Sequence, residues 1–176
     1  MMVPTGEATL GPFFPPRYVD AGANDLTQID GRQAKGEAIE IHGRVLQEDG
    51  SALENLIVEI WQADARGIYR HPADPRHAQA DPDFLGWGRA ATDAQGGYRF
   101  RTIRPGAPEG RLAHVNFMVM FSGLMRILKT TMFFEDGRDP VLMAVSAPRR
   151  SLLIAKGNYE FNIRLCGENE TPFFDD

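Results

Sequence analysis

A phenol, a cation and an imidazole follow one another in the loop after a predicted strand. Residues 57–62 alternate branched or aromatic side chains with polar ones, which is typical of a strand. The turn-forming run 64–67 ends that strand, and Tyr69, Arg70 and His71 come shortly after it. Loops held on a rigid scaffold are where proteins usually keep binding and catalytic groups, so this loop is the first candidate for chemistry.

A second group of candidates lies on the predicted strand 112–121. His114 and Asn116 are two residues apart, so they share one face of that strand and could converge on one metal ion. An amide oxygen is a weak ligand, however, and a hard trivalent cation prefers anionic oxygens together with imidazoles. Tyr69 is the only tyrosine in a loop that we expect to approach His114. The residues therefore favour a strand histidine that is only hydrogen-bonded, with a ligand role as the alternative.

Other kinds of site find less support in the sequence. His71, Asp74 and His77 lie in the long loop 70–92, where the intervening prolines give them no common face, so a surface loop is favoured over a metal site. Cys166 is the only cysteine, which excludes a disulfide within the chain, and no histidine stands beside it to activate the thiol. Neither a nucleophile elbow nor a phosphate-binding glycine loop occurs.

Composition narrows the class of protein. The chain has 176 residues and is 43% hydrophobic, which suits one domain better than two. A net charge of −5 without a basic run argues against nucleic acid as a partner. No window approaches the roughly 18 apolar residues of a membrane span, and no secretory leader is visible. We therefore expect a single domain over residues 1–176 in a soluble, cytoplasmic protein with no membrane partner.

The elements that must position the candidate residues are almost all strands. Alternation and turn signals predict strands at 38–46, 57–62, 98–103, 112–121, 124–134 and 158–166. The first two are expected to form a hairpin through the turn at 48–51. Proline near the start and glycine at the end predict one short helix at 148–156. The predicted fold is all-β, a mainly antiparallel β-sandwich with an extended N-terminal arm and one short helix near the C-terminus.

The predicted arm covers residues 1–36. This part is rich in proline and glycine and shows no lasting period, so it is expected to be an extended arm or a set of surface loops. The run TLGPFFPP at 9–16 either plugs the arm into its own core or lies on a partner subunit. A second aromatic pair at 173–174 suggests that both ends are buried in a contact.

Several ordered motifs resemble those of the intradiol aromatic-ring dioxygenases. They are TLGPFF at 9–14, IWQADARGIYRHP at 60–72, DPDFLGWGRAATD at 81–93, YRFRTIRPG at 98–106 and AHVNF at 113–117. The resemblance covers nearly the whole chain and implies a β-sandwich. It also implies the chemistry of the family, whose catalytic members hold a ferric ion with two tyrosines and two histidines and open a catechol between its hydroxyls with O2.

The resemblance assigns roles to individual residues. Tyr69 corresponds to the first tyrosine ligand, His114 to the first histidine ligand, and Arg111 to an arginine beside the substrate. Asn116 replaces the second histidine, and residues 107–108 offer alanine and proline where the second tyrosine belongs. Because half of the ligand set is missing, Tyr69, Arg111, His114 and Asn116 are expected to form a vestigial site. The chain alone is expected to hold no metal and no catalytic residues.

The resemblance also implies a partner. In the two-subunit members, a non-metal α subunit pairs with a β subunit that holds Fe(3+), and the heterodimers assemble further. Arm residues of the α subunit line the mouth of the β site, and Thr9, Gly11 and Pro12 fall on those positions. Cleavage of an aromatic dihydroxy acid with O2 would then occur at the partner's iron, in the catabolism of aromatic compounds by the β-ketoadipate pathway.

Two further positions depart from the family pattern, and two alternative functions stay open. Thr131 stands where the family has a glutamine, and Ser122 stands where its α subunits have an arginine; whether Arg126 substitutes for that arginine is left open by the sequence. One alternative is a stand-alone β-sandwich binding module, derived from a dioxygenase and without activity. The other is a self-sufficient dioxygenase with an unusual metal sphere.

Overall fold

The computed structural model describes residues 23–124 and 126–174, and strands dominate them. The strands of this part are β1 (Gln28–Ile29), β2 (Arg32–Gln33), β3 (Ala38–Leu46), β4 (Ile57–Gln62), β5 (Trp87–Ala91), β6 (Gly97–Ile103), β7 (His114–Met120), β8 (Leu128–Phe133) and β9 (Ile163–Arg164). An α-helix, α1, spans Pro140–Ala144, and 3-10 helices span His77–Gln79 and Ala147–Leu153. Within the described ranges, no helix is long and apolar enough to cross a membrane.

The larger strands form two sheets that face each other across a core. One sheet is antiparallel throughout and has the order β5-β4-β7-β8. The other has the order β6-β3-β9, in which β3 runs antiparallel to β6 and parallel to β9. The prediction of a mainly antiparallel β-sandwich is confirmed.

Strand alternation explains which side chains fill the core and which do not. Most inward side chains of β4, β7 and β8 are apolar and almost fully buried: Val58, Ile60, Val115, Phe117, Val119 and Met132. They pack against inward residues of the facing sheet such as Ile41 and Phe100. Trp61, His114, Asn116 and Thr131 alternate with these residues, so they lie on the outer face of the four-stranded sheet.

The predicted hairpin between β3 and β4 is wrong. The turn does form, because Gln47 N–H donates to the Ser51 carbonyl and Gly50 adopts a positive φ of 81°. The chain returns only as far as a bridge between Leu46 and Ala52 and then crosses to the other sheet. Alternation indicates which face of a strand is buried, but it does not identify the neighbouring strand.

The predicted helix and the last predicted strand also need correction. The α-helix lies earlier, at 140–144, where Asp139 accepts hydrogen bonds from the N–H groups of Val141 and Leu142. The segment predicted as a helix forms a 3-10 helix that ends at Leu153. The predicted strand 158–166 is a strand only at Ile163–Arg164, because residues 156–160 form a tight turn in which Tyr159 has a φ of 62°.

The predicted arm of residues 1–36 is described only from Ala23 onwards. This part contains the ladder of β1 with β2 and two buried residues, Leu26 and Thr27. Leu26 N–H donates to the Arg101 carbonyl on the free edge of β6. Residues 23–36 are therefore packed onto the sandwich, which is more than the prediction of an arm or surface loops implied.

Candidate functional site

The candidate residues meet on the outer face of the four-stranded sheet. Trp61 pairs with Asn116 across β4 and β7, and Asn116 pairs with Thr131 across β7 and β8, so these three side chains form one row. His114 pairs with Phe133 next to this row. The loop that follows β4 brings Tyr69 over the sheet toward His114, as the sequence predicted.

A buried carboxylate shapes the start of that loop. Asp64 is 2% exposed, and its Oδ1 accepts hydrogen bonds from the N–H groups of Arg66 and Ile68. Its Oδ2 accepts a further hydrogen bond from the N–H of Asp81, at the far end of the loop. Aspartates favour such turns because their short side chains can accept hydrogen bonds from the backbone a few residues ahead. Asp64 thus ties both ends of the loop together.

A second aspartate fixes Tyr69 itself. Asp74 Oδ2 accepts a hydrogen bond from Tyr69 N–H at 3.0 Å. The N–H groups of Arg76 and Tyr69 hold the pKa of Asp74 below its ordinary value. The ring of Tyr69 packs against Trp61 with a centroid distance of 5.1 Å, and His71 meets the edge of Trp61 at 5.5 Å. Asp74 and His71 therefore position neighbouring groups. Separately, within the described residues no cluster of three or more His, Cys, Asp or Glu could hold a metal.

Tyr69, His114, Asn116 and Thr131, here called the Tyr69 cluster, form one continuous chain of hydrogen bonds. His114 Nδ1 lies 2.7 Å from the Leu112 carbonyl, which can only accept, so this nitrogen carries the proton. The other ring nitrogen, Nε2, then accepts from the Tyr69 hydroxyl at 2.9 Å. The Tyr69 oxygen accepts from Asn116 Nδ2 at 3.2 Å, and Asn116 Oδ1 accepts from Thr131 Oγ1 at 3.2 Å.

The surroundings of the cluster disfavour the charged form of both of its titratable groups. Burial raises the pKa of the Tyr69 phenol, and the hydrogen bond from Asn116 offsets this only in part. Burial also lowers the pKa of His114, against a smaller opposite effect of its hydrogen bond to the Leu112 carbonyl. These shifts favour a neutral phenol that donates to a neutral imidazole, which is the arrangement described above.

Arg111 reaches the edge of the cluster but is held by a buried partner. Its Nε donates to Asp139 Oδ2 at 2.7 Å, and the Leu112 N–H donates to the same oxygen at 3.0 Å. Asp139 is fully buried, and burial alone would raise its pKa. The hydrogen bonds from Arg111, Leu112 and Val141 outweigh that effect and leave the pKa of Asp139 below its ordinary value. One carboxylate thus fixes Arg111, the start of β7 and the start of α1.

Comparison with known proteins identifies the family of the chain. Residues 10–111 match the model of a family described as dioxygenase. The chain is 37% identical to the protocatechuate 3,4-dioxygenase beta chain of Burkholderia cepacia, which it matches over 86% of its own length and 77% of the relative's. It is 33% identical to the alpha chain from the same species, over 97% and 96% of the two lengths. The chain belongs to the intradiol ring-cleavage dioxygenase family.

Solved structures of intradiol dioxygenases share the fold described above. An intradiol ring-cleavage dioxygenase from Tetranychus urticae superposes with a TM-score of 0.62 at 17% identity, over 93% of each chain. The 3-chlorocatechol 1,2-dioxygenase from Rhodococcus opacus 1CP gives a TM-score of 0.58 at 22% identity, over 91% of this chain and 70% of the other. At these identities the likeness establishes the β-sandwich fold.

Intradiol dioxygenases are iron enzymes, but the Tyr69 cluster does not fit a ferric ion. Such an ion requires phenolates and imidazoles whose lone pairs are free to bind it. Of the four side chains of the cluster, only Tyr69 and His114 are donors of this kind, one phenol and one imidazole. Asn116 and Thr131 add only neutral groups that are already paired.

The other residues that the sequence singled out in this dioxygenase-family chain lie in several different places. Thr9, Gly11 and Pro12 lie outside the described residues, so their place at a partner's site stays a prediction. Ser122 is exposed in the turn after β7, and Cys166 is an exposed free thiol. Residues 107–108, the predicted position of the missing tyrosine, pack tightly on the Tyr69 loop, because a Cβ on Gly67 would lie 2.2 Å from the Ala107 carbonyl oxygen.

Sequence reasoning missed two features of the site. Asp139 was not singled out, although aspartate followed by proline and an apolar run is a typical helix start, and this signal could have identified it. The second feature is an apolar pocket beside Trp61, which no sequence motif marks. It is assembled from a helix, a sheet face and a C-terminal segment that are distant in sequence.

Proposed function

We propose that this chain is the α, non-iron-binding subunit of a protocatechuate 3,4-dioxygenase. It would support the intradiol cleavage of 3,4-dihydroxybenzoate to 3-carboxy-cis,cis-muconate at the Fe(3+) site of a β subunit. In that reaction the ring bond between the two hydroxyl-bearing carbons breaks, and both atoms of O2 enter the product. The isolated chain would be inactive.

The hydrogen-bond chain of the Tyr69 cluster is the observation that carries this proposal. A ferric site needs phenolate and imidazole donors, and this chain pairs one phenol with one imidazole at 2.9 Å. The amide of Asn116 and the hydroxyl of Thr131 complete the pairing, so each of the four side chains has a partner within the protein. A chain built in this way gains nothing from a metal ion at this place and would rely on a partner for catalysis.

The relatives support a subunit role, and they do not decide between the two subunits by identity alone. The beta chain of Burkholderia cepacia is the more identical, at 37%, whereas the alpha chain is matched over almost its full length, 97% of this chain and 96% of the relative. A second alpha chain, from Pseudomonas putida, is 33% identical over 81% of this chain. The composition of the cluster, with Asn116 and Thr131, favours the α assignment.

Expression with and without a β subunit tests the proposal. We expect the chain alone to purify without stoichiometric iron, and the visible absorption of tyrosinate bound to ferric iron to appear only after assembly with the β subunit. Dioxygenase activity should follow the same pattern. One iron per chain, together with colour and catechol cleavage in the isolated chain, would overturn the proposal.

The Tyr69→Phe variant sharpens this test. If Tyr69 is not a ligand, the assembled variant should keep the iron content and the charge-transfer absorption of the wild-type assembly. A loss of the absorption with unchanged assembly would identify Tyr69 as a ligand and contradict the proposal. Failure of the chain to copurify with any β subunit would favour a stand-alone β-sandwich binding module instead.

A further inference from the structure

A pocket of about 460 Å³ lies on the outer face of the three-stranded sheet and reaches the edge of β5; we call it the Arg44 pocket. This face is opposite to the one that carries the Tyr69 cluster. The volume lies within the range of about 300–1,000 Å³ that is usual for small-molecule sites. The activity proposed above gives this pocket no role.

Strand alternation sends three nitrogen-bearing side chains to this face. His42 and Arg44 are two residues apart on β3, and Arg99 of β6 lies directly opposite His42. Arg44 and Arg99 are therefore diagonal neighbours, about 7–8 Å apart, which is within the reach of long side chains. Gly97, the direct partner of Arg44, adds no side chain here. Two guanidinium groups and an imidazole thus share one side of the pocket.

Both arginines have donors to spare. Arg44 uses its Nε for the Gln95 carbonyl at 2.7 Å and forms no ion pair within the described residues, so its terminal nitrogens are open to a ligand. Arg99 approaches Glu40 only through its Nε, at 3.4 Å, and its side chain is 68% exposed. Such a long and exposed ion pair holds an arginine weakly. Arg99 can therefore turn its terminal nitrogens to a ligand as well.

His42 provides a third donor. Its Nδ1 is buried and has no hydrogen-bond partner within the described part of the chain. A buried N–H without a partner is rarer than a buried acceptor without one, so the proton belongs on the other ring nitrogen, Nε2. The ring lines the pocket, and Nε2–H is the group that it can offer to an acceptor there.

Two carboxylates also line the pocket, and both already have donors. Asp93 Oδ1 accepts from the N–H groups of Gln95 and Gly97 at 2.9 and 2.7 Å. Glu160 Oε1 accepts from Asn162 Nδ2 at 2.6 Å. These contacts satisfy acidic groups within the chain, whereas the guanidinium groups and the imidazole keep unused donors. The pocket therefore favours a ligand that brings acceptors.

We propose that the Arg44 pocket binds a small aliphatic dicarboxylate. A planar guanidinium matches a carboxylate with two parallel hydrogen bonds, so Arg44 and Arg99 would each take one carboxylate. His42 would donate to one of them, and the carbon chain would lie against Ala90 and Ala91. The ring cleavage proposed above creates two carboxylates on an open chain, so its product belongs to this class of ligand. That link alone rests on the proposed function.

Calorimetric titration with adipate tests the recognition, on the purified protein with any partner subunit that it requires. Adipate should bind saturably, and hexanoate, which has the same chain length and one carboxylate, should bind about tenfold more weakly. Inorganic phosphate should also bind more weakly, because so compact an anion does not span both arginines. Equal affinity for adipate and hexanoate, tighter binding of phosphate, or no saturable adipate signal would overturn the inference.

Arginine variants test the assignment of the two carboxylates. Arg44→Met and Arg99→Met keep most of the apolar stem and remove the charge, and we expect each to weaken adipate binding by about tenfold. Arg101→Met is the matched control, because Arg101 lies on the same face of β6, pairs with Asp25 and does not line the pocket. An unchanged affinity in either pocket variant, or an equal loss in Arg101→Met, would contradict the proposal.

The ring signals of His42 in NMR spectra locate the bound ligand. They should shift on addition of adipate, whereas those of His77, which does not line the pocket, should stay in place. Saturable binding without a shift of His42 would put the ligand elsewhere and overturn the inference, and so would a partner subunit that covers the pocket and abolishes binding. These measurements follow binding rather than ring cleavage, so their failure is distinguishable from a failure of the proposed function.

Discussion

The Tyr69 cluster and the apolar pocket of about 690 Å³ beside Trp61 lie side by side on one sheet face, and they differ in how their polar and apolar groups are partnered. In the cluster, four polar side chains are paired with one another, from the Leu112 carbonyl to Thr131. In the pocket, apolar walls that include Trp61, Val141 and Phe174 surround an open volume. In the first arrangement each side chain already has a partner within the protein, whereas the second leaves apolar surface that a ligand could cover.

In the proposed α subunit, the two residues that correspond to metal ligands of the family are paired with protein groups. Tyr69 and His114 are hydrogen-bonded to each other, and Asn116 and Thr131 extend this pairing into a hydrogen-bond chain. We therefore expect changes in and behind the cluster to cost stability.

Removal of Asp139 should have the largest effect. Asp139→Ala leaves Arg111 unpaired and removes the acceptor for the first turn of α1 and for Leu112 N–H, so we expect a loss of about 3 to 5 kcal/mol in the free energy of unfolding. Chemical denaturation measures it. Asp136→Ala, an exposed carboxylate in the same loop, is the control and should stay within about 0.5 kcal/mol. Equal losses in both variants would contradict the role assigned to Asp139.

Breaking the cluster at its centre should have a smaller effect. Tyr69→Phe leaves His114 Nε2 and Asn116 Nδ2 without their partner, and we expect the free energy of unfolding to fall by about 2 kcal/mol. Tyr159→Phe is a matched control, because the Tyr159 hydroxyl makes no hydrogen bond to the described part of the chain. A Tyr69→Phe variant as stable as wild type would show that the cluster does not act as a closed chain.

The pH dependence of stability should reveal the neutral state of His114. Burial holds its pKa in the folded state below the ordinary value of about 6.5, so below that pH the unfolded chain binds more protons. The contribution of His114 to the free energy of unfolding is fully present well above about pH 6.5. It is lost as the pH falls through that value toward the folded-state pKa. Between pH 8 and pH 6 the loss is at most about 0.8 kcal/mol.

Denaturation at the two pH values, in wild type and in His114→Gln, isolates this contribution. In the variant, the free energy of unfolding should change less between the two pH values, because the contribution of His114 is absent. Titration of the His114 ring by NMR checks the direction independently, and a midpoint at or above 6.5 would contradict a buried, neutral imidazole.

Local patterns in the sequence predicted most of the strands and the central pair of the site. The alternation in 38–46 and 57–62 gave both strands with their observed bounds, and the position of Tyr69 after a turn predicted its approach to His114. These features depend on residues close together in the chain. A strand of period two and a turn of aspartate and glycine carry their own signals.

What the sequence did not reveal depends on distant parts of the chain. The pairing of β3 with β6 and β9, rather than β4, follows from how two whole sheets pack, and no alternation encodes it. The closure of the cluster needs the register that sets Asn116 beside Thr131. Tyr159 has a positive φ and interrupts an alternating segment that the sequence predicts as a strand. Residues with bulky side chains seldom adopt that conformation, so the sequence carried no signal for the interruption.

The parallel pairing of β3 with β9 affects how the chain can fold during its synthesis. Val45 lies beside Ile163, and the neighbouring contact from Arg44 to Asn162 joins residues 118 positions apart. During synthesis, β3 can pair with β6 first. Its other edge can pair only after most of the remaining chain has been made. A ribosome paused before residue 163 would therefore display an unfinished sheet, which chaperones could recognise.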